Sequence, residues 1–385
     1  MNANGSSGRD IVAFDPPPSE SIVDLVEMYE LGWPIEPVLE LGRRKIHERR
    51  YVVLRVGLDD GAIGTSYCLT RGAPVFDVIE REIGPRLLNL TISGLLGFAA
   101  PDASTDGVTI ASQRARSMVD ICAWDLWAQA LALPVWRGLA EFATPMPALL
   151  VEGYRQPREG DEAVVARLAG VVAKGIRTLK LAVDADHTAT ERVLRGLRQA
   201  AGHEVELVVD LESDEPSVAS AVATAQLLSP HRPAWIEDPF PPSRARDTHE
   251  LRMKSSSPIG AGDEMTVGQL QDLFDHDAVD VLRLDVTTAG GLSGVLPLVE
   301  QAPDVSFHVY PEIHRHLAFA FNAVGGVEMF PKGGRFDFVD RFLHVQGLDA
   351  DGRGLLYPPE EPGFGISLSL DAAASQVTRS HVMRA

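Results

Sequence analysis

The sequence predicts an α/β protein in which a barrel of parallel strands follows an α+β domain. From Met146 onward, short apolar runs alternate with windows of helical periodicity. Six of these runs end at an acid or a histidine, and 20 to 27 residues separate one such group from the next. That spacing fits one strand, one helix and two loops. A β/α barrel collects its functional groups at the C-terminal ends of its strands.

The strands expected of the barrel are near-continuous apolar runs, which is typical of a parallel sheet covered on both faces. Eight are predicted, at Ala148–Tyr154, Thr178–Val183, Glu206–Leu211, Ala234–Phe240, Pro258–Glu264, Val281–Asp285, Ser306–Tyr310 and Gly326–Phe330. Helices are predicted between most of them, for example at Ala163–Ala173, Thr190–Ala201, Ser217–Leu228 and Val267–Asp275. No glycine-rich phosphate loop follows the first strand, which disfavours a dinucleotide-binding fold.

Four segments are expected along the chain. Residues 1–20 begin with a polar stretch and lack the apolar core of a signal peptide, so they are predicted to be a disordered tail. Residues 21–145 predict the α+β domain and residues 146–330 the barrel. Residues 331–385 are rich in glycine, proline and charge, and we expect this segment to return to the first domain.

The α+β domain combines strand and helix patterns. Tyr51–Leu58 and Ala62–Tyr67 are predicted strands, joined by an Asp-Asp-Gly hairpin turn. Leu31–Pro34 is predicted to be a loop between two strand-like runs. Two helices are predicted, Asp77–Leu88 in spite of its proline, and Ile110–Leu131.

Composition disfavours several classes of partner. A chain with a formal net charge of −19 is poorly suited to bind nucleic acid or an anionic membrane surface. No apolar run reaches transmembrane length. Cys68 and Cys122 are too few for a disulfide framework and are expected to be packing residues. We therefore expect a cytoplasmic protein that acts on a small molecule.

Three acids end three consecutive predicted strands: Asp210, Glu237 and Asp263. Hard oxygen ligands that converge in this way suit Mg²⁺ or Mn²⁺ better than Zn²⁺. Without a cation they would repel one another and raise one another's pKa. The alternative is that each acid is solvated separately. Three further acids lie beside these positions in the sequence: Glu212, Asp238 and Glu264.

A histidine and an acid end two neighbouring strands further along the chain. If Asp285 accepts a hydrogen bond from one ring nitrogen of His308, the other nitrogen is free to act as a general acid or base. His314 and His316 are competitors for this role. They lie in the following predicted helix, where ordinary packing is the favoured explanation.

Two more charged residues end strands of the barrel. Lys180 lies in an apolar strand, where a lysine is costly unless it points into a polar mouth. It can contact a substrate carboxylate, act as a base with a lowered pKa, or extend its ammonium into solvent. Glu328 ends the last strand, and a carboxylic acid kept neutral there can donate a hydrogen bond to a developing oxyanion.

Together these groups indicate a class of reaction. A divalent cation that binds the carboxylate of an acid substrate increases the acidity of the α-hydrogen. A base at the end of a strand then removes this proton. The residues alone do not determine the fate of the resulting enediolate, because that depends on the leaving group and on which acid faces it.

Several motifs resemble those of the enolase superfamily, and within it of the mandelate racemase group. Arg50–Gly64 resembles the hairpin of that family's capping domain, and Val119–Pro134 resembles the helix that closes it. Trp235–Pro239 and Asp285–Leu292 are similar to motifs of the barrel. Pro362–Gly365 resembles the C-terminal return to the cap.

The resemblance implies a modified TIM barrel, (β/α)7β, below an N-terminal α+β capping domain. It also implies Mg²⁺ as cofactor, a small carboxylate as substrate and a homo-oligomer, either a dimer or an octamer. The residues implied for the site are the metal ligands Asp210, Glu237 and Asp263, the acid/base pair Asp285 and His308, the substrate-binding Lys180 and the hydrogen-bond donor Glu328.

One position departs from the family pattern. The second strand of the family's barrel usually ends in Lys-x-Lys, whereas this chain has Lys180-Leu-Ala182. Proton transfer between two bases needs one base on each face of the intermediate, so racemisation is disfavoured. A one-base dehydration remains, in which His308 takes the α-proton and then protonates the departing β-hydroxyl.

The favoured hypothesis is therefore an Mg²⁺-dependent lyase that dehydrates an aldonate or aldarate to a 2-keto-3-deoxy acid. One alternative is an epimerase or cycloisomerase with Lys180 as the second base, and another is a barrel that binds a ligand without catalysis. Substrate specificity is expected in loops of the cap around Leu31–Ile35 and Arg49–Arg50. Trp33 is either a lid or a core residue, and Glu212 has no assigned role.

Overall fold

The structure is a computed structural model that describes residues 20–41, 44–100, 109–156, 158–183, 186–302 and 304–385. The predicted tail lies outside the described residues, except for Glu20. The chain forms an N-terminal antiparallel sheet with helices, followed by a barrel of parallel strands.

An antiparallel sheet of four strands forms the N-terminal body. Its strands are β1 (Val23–Leu41), β2 (Arg44–Leu58), β3 (Ile63–Leu69) and, from the C-terminal segment, β15 (Val377–Arg384). Their order is β15-β1-β2-β3. The predicted hairpin is confirmed, because β2 and β3 pair in antiparallel register. We call this sheet and the helices packed on it the cap.

The predicted loop at Leu31–Pro34 is wrong. These residues lie inside β1 and pair with β2, with Leu31 opposite Tyr51 and Pro34 opposite Glu48. The alternation of a strand explains this, since Leu31 and Trp33 are both buried in the core. Beyond this stretch the register shifts, between Pro34 and Leu39.

The helices of the cap are α1 (Val75–Val78), α2 (Gly84–Leu87), α3 (Ile92–Ala99), α4 (Ile110–Ala130) and α5 (Val135–Leu139). The helix predicted at Asp77–Leu88 is interrupted by a π-helical turn at Ile79–Ile83, which ends two residues before Pro85, a residue with no N–H to donate. Among the described helices, none combines the length and the apolar character that a membrane crossing requires.

The helix α4 packs closely on the sheet. A Cβ atom on Gly64 of β3 would lie 2.4 Å from the carbonyl oxygen of Cys122, so glycine is the residue that fits this contact. Cys68 and Cys122 are both free and buried, as expected of packing residues. Burial raises the pKa of the Cys68 thiol to about 12, which keeps it protonated and unreactive.

The predicted barrel is confirmed. Its strands are β4 (Met146–Val151), β5 (Thr178–Ala182), β6 (Glu206–Asp210), β7 (Trp235–Glu237), β8 (Ile259–Ala261), β9 (Val281–Leu284), β10 (Val305–Phe307) and β11 (Val327–Met329). They pair in parallel in the order β10-β9-β8-β7-β6-β5-β4-β11. The barrel is nearly closed, and Val324 N donates to Val305 O over 2.9 Å beside the seam between β10 and β11.

One helix follows each of the first seven strands, which gives the (β/α)7β order. These helices are α6 (Asp161–Ala173), α7 (His187–Ala201), α8 (Val218–Leu228), α9 (Ala245–Arg252), α10 (Val267–Asp275), α11 (Gly291–Gln301) and α12 (Pro311–Phe321). The amphipathic α10 begins with a capping box, in which Thr266 and Gln269 bond each other's backbone N–H groups.

The C-terminal segment adds three short strands before β15. They are β12 (Leu343–Val345), β13 (Leu355–Leu356) and β14 (Ile366–Leu368). β12 pairs with β14, and β13 pairs antiparallel with the start of β4. β15 then pairs with β1, so the segment passes from the base of the barrel to the cap.

Two buried aspartates of α4 join the cap to the rest of the chain. Asp125 accepts from Thr65 N of β3 over 2.9 Å and from Phe364 N of the C-terminal segment over 2.8 Å. Asp120 accepts from Ser293 N in the first turn of α11 over 3.2 Å, where the helix dipole favours a negative charge. Its other oxygen has no hydrogen-bond partner within the described residues.

Burial raises the pKa of Asp120 to about 7. The folded protein therefore holds this proton more tightly than the unfolded chain, and its stability falls as the pH rises from about 4 to 7. Asp120→Asn carries no charge at this position. Its free energy of unfolding relative to the wild type should therefore be greater at pH 8 than at pH 5, by up to about 3 kcal/mol. Urea unfolding at the two pH values measures this. The exposed Asp272→Asn is the control, and an equal gain at both pH values would contradict the explanation.

Candidate active site

The C-terminal ends of the barrel strands open into a cavity of about 450 Å³ below the cap. Glu212, Asp238 and Glu264, which follow strand ends, have positive φ angles of 54°, 40° and 59°. Such angles are uncommon outside glycine and concentrate at functional sites. All three line the cavity. Asp238 also accepts from Gly262 N, and Glu264 pairs with an arginine of the cap.

The three acids predicted to bind a metal lie together. One oxygen of each of Asp210, Glu237 and Asp263 falls within 4.8 Å of the others. Parallel register explains this, since Asp210 of β6 lies beside Glu237 of β7. Hard carboxylate oxygens at this separation can hold a divalent cation such as Mg²⁺.

Lys180 lies inside this group of acids. Its ammonium nitrogen is 3.2 Å from Asp210 and 3.3 Å from both Asp263 and Glu328, and it also contacts Glu237. The side chain is almost completely buried. Among the alternatives for this lysine, extension into solvent is therefore wrong. The ammonium fills space that a cation bound to the three acids would need.

Arg283 is a central residue of the site that the sequence analysis missed. Its guanidinium Nε lies 3.0 Å from Asp263 and 3.1 Å from Glu237, and a terminal nitrogen contacts Glu328. Another terminal nitrogen donates to Ser306 Oγ over 2.7 Å. The signal was present in the sequence, because a charged side chain two residues before Asp285 in an apolar strand points to the same face.

The charges of these buried groups do not cancel. Four carboxylates, those of Asp210, Glu237, Asp263 and Glu328, face two cations, Lys180 and Arg283, which leaves two negative charges when all are ionised. Burial raises the pKa of Glu237 to about 8, against the opposing effect of Arg283 and Lys180. Both observations fit a site that is completed by a divalent cation.

Glu328 was predicted to be a neutral donor. In the structure one of its oxygens lies 3.3 Å from Lys180 and the other contacts Arg283, so both accept from cations. Neither oxygen acts as a donor in this arrangement. The donor role remains a prediction.

His308 and Asp285 are adjacent and buried. His308 Nδ1 lies 3.3 Å from one carboxylate oxygen of Asp285. The other oxygen accepts from Thr287 N over 2.8 Å and from Thr287 Oγ1 over 2.7 Å, which fixes the carboxylate. His308 Nε2 faces the cavity, 3.6 Å from Asp263. Burial lowers the pKa of His308, but Asp263 and Asp285 outweigh it, so the net shift is upward.

The competing histidines are packing residues. His314 Nδ1 donates to Val309 O over 2.7 Å, and its Nε2 accepts from Val286 N over 3.0 Å. His316 lies between Trp136 N and Phe364 O, each at 3.3 Å. Because both nitrogens of each ring are occupied, neither ring can exchange protons with a substrate. Burial lowers the pKa of both residues.

The cap closes the cavity from above. It contributes Arg49 from β2, Leu69 from β3 and Arg71 from the loop after β3. Trp33 does not reach the cavity as a lid. It is a core residue whose ring stacks on Phe338 at 5.5 Å between ring centroids.

Family models match most of the chain. The model described as "Enolase C-terminal domain-like" matches residues 163–373, and the model of the mandelate racemase / muconate lactonizing enzyme N-terminal domain matches residues 25–139. These ranges cover the barrel strands from β5 onward and nearly all of the cap.

Curated relatives are distant in sequence but similar in length. A D-galactonate dehydratase family member of Catenulispora acidiphila is 26% identical over 371 residues, covering 84% of each chain. The D-galactonate dehydratase of Klebsiella pneumoniae is 24% identical over 361 residues, covering 86% of this chain and 92% of its own. Among solved structures, L-talarate dehydratase from Polaromonas, complexed with Mg and L-glucarate, has a TM-score of 0.81 at 20% identity. It covers 95% of this chain and 100% of its own.

The position of Lys180 predicts a competition with metal. In Lys180→Met, the ammonium no longer occupies the space between the acids, so we expect Mg²⁺ and Mn²⁺ to bind at least several-fold more tightly. The metal-free variant should be less stable than the wild type, by about 3–5 kcal/mol, because the buried carboxylates lose a cation. Isothermal titration calorimetry and unfolding in EDTA measure the two effects. The exposed Lys174→Met is the control, and unchanged metal affinity would contradict the overlap.

Proposed function

The chain belongs to the enolase superfamily, in the mandelate racemase and muconate lactonizing enzyme group, and from this membership we propose that it dehydrates an acid sugar. The substrate would be an aldonate or aldarate, and the product a 2-keto-3-deoxy acid. Two of the curated relatives are named as galactonate dehydratases or members of that family, which supports this class of reaction.

The three acids fit a divalent cation. Asp210, Glu237 and Asp263 would hold it, and the two uncancelled negative charges of the site favour it. When bound, Mg²⁺ would supply positive charge to the carboxylate of the substrate and so increase the acidity of the α-hydrogen. Lys180, moved from between the acids toward the cavity, can bind the same carboxylate through its ammonium.

His308 is proposed as the acid and base. Its Nε2 faces the cavity, and Asp285 holds the proton on Nδ1, so Nε2 of the neutral ring can accept the α-proton. Asp285 also stabilises the imidazolium that forms. The same Nε2–H then donates its proton to the β-hydroxyl, which leaves as water from the same face. The enol that remains tautomerises to the 2-keto acid.

The observation that carries the choice of dehydration is the absence of a second base at position 182. Ala182 lies on β5 beside Asp210, two residues beyond Lys180. Lys180 is proposed to bind the carboxylate of the substrate, so it does not serve as the second base. These features support proton transfer on one face of the substrate, that of His308.

The reaction is tested by proton NMR in D₂O with Mg²⁺ and a library of aldonic and aldaric acids. We expect new signals of the C3 methylene group with wild-type protein and at least about a 10²-fold lower rate with His308→Asn, because a general acid and base is lost. Full activity of His308→Asn would contradict the mechanism. Exchange of the α-proton without water loss would instead indicate an epimerase.

The rate should depend on pH through His308. The base must be neutral, so kcat/KM should increase with pH through the pKa of His308 and then level off. Asp285→Asn removes a charge that raises this pKa and should move the rise to lower pH while lowering the rate. A profile of kcat/KM against pH for both proteins measures the shift. A displacement to higher pH in Asp285→Asn would contradict the assignment.

A further inference from the structure

Arg49 is a buried cation without an anionic partner. Its side chain lies at the cap end of the active-site cavity and the residue is 4% exposed. Its Nε donates to the carbonyl oxygen of Phe336 over 3.1 Å, and it makes no ion pair with any described residue. Asp337, a nearby acid, instead accepts from Tyr51 Oη over 2.8 Å. A guanidinium taken out of water without a counter-charge is costly, which indicates that a ligand supplies the charge.

The surroundings of Arg49 add positive charge. Arg71 lies 2.5 Å and Arg114 lies 3.4 Å from the same carboxylate, that of Glu264, so two guanidinium groups share one anion. Arg71 holds a positive φ of 48°, which strains a residue that is not glycine. Burial and Arg71 lower the pKa of Arg49 and outweigh the opposing effects of Tyr51, Tyr154 and Asp337.

A second cavity extends this basic region outward. It measures about 520 Å³ and shares Arg49 and Arg71 with the active-site cavity. Its wall also carries Lys45, His47 and Arg50, against the acids Glu48 and Glu264. The chain has a net charge of −19, so this concentration of cations makes the region positive in an otherwise negative protein. It attracts anions toward the mouth of the site.

We propose that the substrate carries a second carboxylate, at the end away from the reacting one, and that Arg49 binds it. The reacting carboxylate lies near Lys180 and the three acids, and Arg49 lines the opposite, cap side of the same cavity. The two terminal nitrogens of a guanidinium match the two oxygens of a carboxylate. The proposal rests on the proposed dehydration of an acid sugar, and it selects the aldarates over the aldonates.

The test is a binding measurement that does not need turnover. Mg²⁺-loaded His308→Asn protein is titrated by calorimetry with six-carbon aldarates and with the aldonates of the same configuration. We expect an aldarate to bind about 10- to 100-fold more tightly than its aldonate, as a charge-assisted pair provides. Arg49→Met should abolish the preference. Arg49→Lys keeps the charge but lacks the two terminal nitrogens of the guanidinium, so it should retain part of the preference.

Arg81→Met, a cap variant whose side chain is 72% exposed, is the matched control and should keep the full preference. Equal binding of a matched pair, no measurable binding of any aldarate, or a preference that survives Arg49→Met would overturn the proposal. If a 6-phosphoaldonate binds more tightly than the aldarates, the group that Arg49 binds is a phosphate and the proposed second carboxylate is wrong. Dehydration is scored separately with wild-type protein. An aldarate that binds through Arg49 but gives no 3-deoxy product contradicts the proposed reaction alone.

Discussion

The repulsion among carboxylates at the mouth of the barrel is the constraint on which the rest of the site depends. Asp210, Glu237 and Glu328 are buried there, and Asp263 beside them is partly buried. Such an arrangement persists only when cations are built in beside it. Lys180 and Arg283 supply two positive charges, and the two negative charges that remain favour the binding of a further cation. The acids therefore determine which basic residues the interior of this barrel contains.

The period of two along a parallel strand made much of this site predictable. It placed Asp210, Glu237 and Asp263 at strand ends, and parallel register then brings them side by side. The same alternation in Val281–Leu284 places Arg283 on the face of Asp285, but the prediction considered only the acid at the end of this strand. Sequence patterns thus identified the groups at the rim more readily than those below it.

Other features depend on contacts between segments that no local pattern encodes. Leu31–Pro34 looks like a loop because it contains glycine and proline, yet its pairing with β2 and its buried side chains hold it as a strand. Arg49 was noted only as part of a cap loop. Its burial without an ion pair appears only when β2 is laid over the barrel mouth. The helix α4 likewise supports the Asp285 loop from another part of the chain, since Ser117 Oγ accepts from Gly290 N over 3.0 Å.

The pairing of β15 with β1 has a consequence for how the protein is made. Met28 lies opposite His381, so the outer edge of β1 stays unpaired on the ribosome until almost the whole described chain has been synthesised. An exposed strand edge is a template for pairing with other chains. The nascent cap is thus vulnerable to aggregation for most of translation, while the barrel strands are already able to pair. The cap therefore emerges before the barrel, and its sheet is completed after the barrel strands.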